Sequence, residues 1–95
     1  MTVTWHLCGY DKRTECLGSD IIIPQTMLPV VRSIVRPRDD DPAYADPVEA
    51  SADQAARLAK ALGVRVDLER FDYFVESEAG METFVVDREA RLARA

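Results

Sequence analysis

Three residues of metal-ligating or nucleophilic type stand near the start of the chain: His6, Cys8 and Cys16. Residues two apart on an extended segment share a face. His6 and Cys8 therefore point the same way, and a hairpin return brings Cys16 towards both. Structural zinc takes four ligands, usually with cysteines two to four residues apart, and this set supplies three. Two reduced, packed cysteines beside a hydrogen-bonded histidine are the expected state. A small-molecule or metal-binding domain using His6, Cys8 and Cys16 is the alternative. As a nucleophile, either thiol needs partial exposure and an oriented base, and nothing in the sequence orients His6 between Trp5 and Leu7. A tight hairpin centred on Lys12 sets Cys8 opposite Cys16, where a disulfide is geometrically allowed but disfavoured in a reducing compartment.

The second group is acidic. Asp39, Asp40, Asp41, Asp46 and Glu49 are oxygen donors suited to calcium, but they lack the alternating Asp-x-Asp-x-Asp-Gly spacing that wraps a chain around the ion. A solvated acidic loop balanced by Arg32, Arg36 and Arg38 is expected instead. Acidic side chains around Tyr44 suit contact with a basic protein surface, so Asp39, Asp40, Asp41, Tyr44 and Asp46 are the candidate partner-binding residues. Asp72 and Glu76 share a strand face with Phe74 between them. A hydrolytic pair of carboxylates needs a cleft for its substrate, which a domain this small rarely supplies, so they are expected to be a polar strand face. No catalytic residue and no cofactor is implied.

Composition bounds the rest. The 95 residues suit a single domain, and 47% apolar residues suffice for a packed core. Seventeen acidic against twelve basic side chains give a net charge of −5, a field that repels phosphate backbones and anionic membranes. It favours a more basic protein partner. The start of the chain has no basic, apolar leader pattern, and the longest uncharged apolar run, Met27 to Val31, is far from a membrane span. A cytoplasmic protein is expected.

These residues must be positioned by elements that the pattern predicts. Alternation over residues 3–10 predicts a strand, with Val3, Trp5 and Leu7 on one face and Thr4, His6, Cys8 and Tyr10 on the other. Asp11 to Thr14 reads as a turn into a second strand from Glu15 to Pro24. Thr26 is the expected N-cap of a helix over Met27–Val35, with Pro29 in its first turn and Leu28, Val31, Ile34 and Val35 as its buried stripe. A long loop from Arg36 to Pro47 follows, of the sort that is either functional or poorly ordered. Ser51 and Gln54 form a capping box for a helix over Ala52–Leu62, with Ala55, Leu58, Ala59 and Leu62 facing the core and Gly63 as its stop. Strands at Val64–Leu68, around Phe71–Val75 and at Glu82–Val86 are predicted next, with a bulge near Glu69-Arg70, a turn at Glu78-Ala79-Gly80 and a short helix capped by Asp87 over Arg88–Ala95. The fold class is α+β: one domain over residues 1–87, two β-hairpins in an antiparallel sheet with two helices on one face (ββααββ), and a helix or tail at 88–95. The strand edges leave room for a homodimer.

The sequence resembles a family of short bacterial proteins of unknown function. The likeness lies in the Gly9-x-Asp11-x-x-Thr14 turn, the Asp40-Asp41-Pro42 step with Tyr44, the Gln54-Ala55 helix and the Asp72-Tyr73-Phe74-Val75-Glu76 strand. The family carries no known activity, so the resemblance implies no functional residues. A non-enzymatic protein-interaction module is the expected function, of the kind seen in immunity proteins, inhibitors or small accessory subunits.

Overall fold

The structure, a computed structural model, describes residues 3–79. Its order is β1 (Val3–Asp11), β2 (Leu17–Ile23), a single 3-10 turn (Gln25–Met27), α1 (Leu28–Ile34), β3 (Val48–Ala50), α2 (Ala52–Leu62) and β4 (Phe71–Ala79). The four strands form one antiparallel sheet in the order β2-β1-β4-β3, so the fold is α+β as the pattern predicts.

The first hairpin is closed by its turn. The Asp11 carboxylate accepts the amides of Arg13 (2.8 Å) and Thr14 (3.1 Å), and Glu15 takes a left-handed φ of 62°. The register shifts between Gly9 and Tyr10, where Gly18 is the extra residue. A Cβ on Gly18 would lie 2.5 Å from the Phe71 ring, so the ring occupies the space a side chain would need.

Odd-numbered residues of β1, β2 and β4, with Ala50 of β3, build the sheet side of the core. Leu7, Ile23, Ala50, Tyr73 and Val75 from the sheet join Leu28 and Val31 of α1 and Ala55 and Leu58 of α2 in one buried cluster. Both helices thus cover the same sheet face. The α2 bounds match the prediction, because its ends are chemically marked. Ser51 Oγ accepts the Gln54 amide, Gln54 Oε1 accepts the Ser51 amide, and Gly63 sits at φ 68°. Gln54 Nε2 also donates to the Ile34 carbonyl at 3.0 Å, which ties the two helices.

Elsewhere the prediction is corrected. Thr26 lies in the 3-10 turn and does not cap α1, whose N-cap, Met27, makes no side-chain bond. Val64–Leu68 forms no strand. Both edges of β4 are taken by β1 and β3, so this stretch finds no ladder, and Val66 and Leu68 pack against the core from an irregular path. The expected bulge is a turn in which Asp67 accepts the amides of Arg70 and Phe71. The outer partner of β4 is instead β3, three residues that the sequence hides inside a loop-to-helix lead. The turn expected at Glu78-Ala79 is the end of β4. The strand at Glu82–Val86, Asp87 and the helix at Arg88–Ala95 lie outside the described residues.

The segment from Arg36 to Pro47 is tied down at several points. Tyr44, at a left-handed φ of 58°, is 0% exposed and donates its hydroxyl to the Val35 carbonyl. Its own carbonyl accepts the Ser77 amide (2.9 Å) and hydroxyl (3.0 Å). Trp5 Nε1 donates to Ala43 O, and the Asp41 carboxylate accepts the amides of Ala45 (2.9 Å) and Asp46 (2.7 Å). Burial raises the Tyr44 pKa above that of an ordinary phenol, further from neutral pH, where the hydroxyl is a donor.

Two predictions follow from these ties. Tyr44→Phe leaves the Val35 carbonyl without its donor and is expected to cost about 1–3 kcal/mol in urea unfolding with the fold retained; an unchanged midpoint would remove Tyr44 as the loop's anchor. Asp41 is held below the usual carboxylate range, first by the Asp46 and Ala45 amides and then by Arg38. A group whose native pKa is depressed stabilises where the unfolded chain is also ionised, and that contribution fades as pH falls through the native pKa. Asp41→Asn should therefore lower stability by a constant amount above about pH 4 and by a shrinking amount below it, as read by unfolding at a series of pH values. A gap that widens in acid would refute this.

Candidate functional site

Even-numbered residues of β1, β2 and β4 face away from the helices. On this face β1 places Thr4, His6, Cys8 and Tyr10, β2 places Asp20 and Ile22, and β4 places Asp72, Phe74, Glu76 and Glu78. Cross-strand register sets His6 opposite Glu76, Cys8 opposite Phe74 and Tyr10 opposite Asp72.

At the hairpin end of this face lies an open groove of about 360 Å³, lined by Tyr10, Asp11, Lys12, Glu15, Pro47, Asp72, Phe74 and Glu76. The Tyr10 and Phe74 rings meet edge to face, 5.5 Å between centroids and 81° between planes, a favoured aromatic geometry. The Tyr10 hydroxyl donates to Glu76 Oε2 at 2.5 Å, which holds a carboxylate that is only 5% exposed. At the rim, Lys12 Nζ stands 3.7 Å from Asp72 Oδ1 with both side chains about half exposed, a pair worth at most about 1 kcal/mol. Asp11 is kept ionised below the usual range by the Arg13 and Thr14 amides, with Arg70 Nε 3.3 Å away adding to the effect. The lining thus carries four carboxylates against one ammonium over an aromatic wall. Such a surface attracts cations and presents π-faces to them.

Asp72, Phe74 and Glu76 were legible as one strand face, and the structure keeps them so. Tyr10, Lys12, Glu15 and Pro47 were missed as groove residues. Alternation alone puts Tyr10 on the polar face, but joining it to Glu76 needs the β1–β4 register, which no local signal carries.

His6 does have an orienting partner. Its Nδ1 lies 2.7 Å from Asp20 Oδ1, and its Nε2 lies 3.0 Å from Thr4 Oγ1 and 3.4 Å from Glu78 Oε2. Asp20 pairs directly with Cys8, so its contact with His6 is a diagonal one across β1 and β2. A hydroxyl, an imidazole and a carboxylate in a row are the parts of a nucleophilic relay. Here the ring is 4% exposed and engaged on both nitrogens, which makes it a clasp joining β1, β2 and β4.

The cysteines do not meet as the hairpin centred on Lys12 would have them. Cys8 sits opposite Asp20, whereas the Cys16 carbonyl accepts the Asp11 amide, three residues further along β1, about 10 Å at strand rise. The longer turn and the Gly18 bulge produce that slip. Cys8 is buried and Cys16 half-buried. Among the described residues no group of three His, Cys, Asp or Glu side chains is placed to hold a metal ion, so His6 and Cys8 are not joined by Cys16. One thiol is expected to react with a disulfide reagent in the native protein and both in denaturant, without reductant. A mass two hydrogens short before reduction would restore the bridge.

The acidic loop divides its carboxylates. Asp41 is half-buried and accepts two amides of its own loop, and Tyr44 is wholly inside, where it presents no contact surface. Asp40 and Asp46 are exposed, and Arg38 reaches both, at 3.1 and 3.6 Å. Asp39 is exposed beside them. The loop runs through Asp46 directly into Pro47 of the groove.

No curated protein and no solved structure matches the chain. One family does: its profile covers residues 4–76, a span from the first strand to the buried carboxylate of the groove. The chain belongs to that family, a domain of unknown function, DUF7683.

Proposed function

We propose that this protein is a small, non-catalytic interaction module that docks a basic protein partner on its acidic face. The observation that carries the reading is the groove, where Asp11, Glu15, Asp72 and Glu76 surround the Tyr10–Phe74 pair with Lys12 as the one ammonium in the lining. Asp39, Asp40 and Asp46 extend the same sign of charge along the adjoining loop, while Asp41 and Tyr44 hold that loop in shape. Complementary charge speeds encounter and rejects wrong partners more than it adds affinity, and the aromatic pair supplies the contact area that charge alone lacks. A net charge of −5 argues against nucleic acid. Among the described residues no helix is long and apolar enough to cross a membrane. A cytoplasmic inhibitor, immunity protein or accessory subunit fits this size and surface.

The test is capture from a host lysate on the immobilised full chain, at about 0.05 and 0.5 M salt, between which the screening length shortens about threefold. A Glu15→Lys, Asp72→Lys double variant, its fold checked by circular dichroism, serves as control. A basic protein retained at low salt, released at high salt and not held by the variant is the expected result. No retained protein, or one the variant holds equally well, would overturn the reading.

A further inference from the structure

We propose that the groove receives one arginine side chain of the partner, its guanidinium stacked on one ring of the Tyr10–Phe74 pair and paired with the Glu76 and Asp72 carboxylates. This rests on the interaction reading above and names the group that the groove selects.

Four features of the groove lead to arginine. First, its charge calls for a cation, with four carboxylates against Lys12. Second, Lys12 stands at the rim against Asp72, whereas Glu76 lies deeper, 5% exposed and held by the Tyr10 hydroxyl. A carboxylate has two oxygens with several acceptor positions, and one hydroxyl uses only one of them. Third, the Phe74 and Tyr10 rings form a wall beside that carboxylate. A planar, weakly hydrated guanidinium stacks on an aromatic face while it donates in its own plane, whereas an ammonium is a compact, strongly hydrated charge that loses more on leaving water. Fourth, the molecule already uses this combination once. Arg70 stands 5.0 Å over the Phe71 ring with its Nε 3.3 Å from Asp11.

The shape favours a side chain over a free metabolite. Small-molecule sites enclose most of their ligand's surface, and this groove is open along one side, walled by Pro47 and the hairpin turn. An open groove admits a residue that enters from a facing protein surface. The neighbouring Asp39, Asp40 and Asp46 then meet the basic surroundings of that residue.

The experiment titrates the full chain with Nα-acetyl-arginine amide, followed by the aromatic NMR signals of Tyr10 and Phe74. The lysine and citrulline amides serve as comparisons. Saturable shifts on both rings are expected in the millimolar range, at least about threefold weaker for lysine and absent for the neutral citrulline. Phe74→Leu and Asp72→Asn should each weaken the arginine effect by about three- to tenfold. Glu76→Gln should abolish it, and its amide spectrum shows whether the variant is folded; Asp72→Asn keeps the test decisive if it is not. No saturation up to about 50 mM, or equal shifts with citrulline, would overturn the inference. The lysate capture separates the two readings. A basic partner that Phe74→Leu still holds at full strength sinks the arginine site and leaves the interaction module standing, whereas failure to capture any partner sinks the module itself.

Discussion

β1 and β4 pair along nine consecutive positions, from Val3 opposite Ala79 to Asp11 opposite Phe71, and the rest of the molecule is arranged by that ladder. It joins residues 60 to 76 positions apart, so its formation carries a large loop-closure cost before any contact returns it. The intervening chain offsets the cost by packing on one side of the ladder. Leu7 and Val75, directly opposite each other, are both fully buried under α1 and α2. The Tyr44 carbonyl bonds to Ser77 and the Trp5 indole to Ala43, so the long loop grips both strands of the central pair. A one-residue slip of β1 would turn Leu7 outward and His6 into the core, and a slip of β4 would do the same to Val75 and Glu76. Register is therefore fixed from both faces at once.

The polar face contributes to that specificity at a cost. His6 and Glu76 are buried, and buried ionisable groups are expensive unless they are well bonded. Each is held across strands: His6 by Asp20 of β2 and Glu78 of β4, Glu76 by Tyr10 of β1. An apolar pair at these positions would tolerate neighbouring registers, because dispersion is not directional. Directional hydrogen bonds do not. The polar contacts that shape the groove wall are thus the same contacts that make the sheet unique.

What the sequence disclosed follows the range of the signal. Helix α2 is marked at both ends by residues a few positions apart, Ser51 with Gln54 and then Gly63, and it appears with its predicted bounds. The Asp11 turn and the alternation of β1 are equally local, and so is the shared face of Asp72, Phe74 and Glu76. Where alternation had to compete for a partner it misled. Val64, Val66 and Leu68 have the period of a strand, but the position beside β4 goes to Val48–Ala50, which the loop delivers first and α2 holds in place. The acidic loop shows the opposite failure. Its composition suggests a free surface, yet a backbone that turns through a left-handed Tyr44 must satisfy its own amides, and Asp41 is consumed in doing so. The Tyr10–Glu76 contact joins residues that only the long-range ladder brings together.

The carboxylates of this protein thus fall into two kinds. Asp11 and Asp41 each accept two backbone amides at places where the chain turns, and their ionised form is part of the fold. Asp39, Asp40, Asp46, Glu15 and Asp72 are turned to solvent, where they are screened and contribute little to stability. Charges of one sign that do not hold the fold together raise the repulsion within it, so their excess is a cost to the isolated chain. A basic surface removes that repulsion on contact. Glu76 stands between the two kinds, since it is buried like a structural group and lines the groove like a binding one. Its bond to Tyr10 holds it ready for a cation without moving any part of the sheet, and an acceptor fixed in advance loses little freedom when it binds.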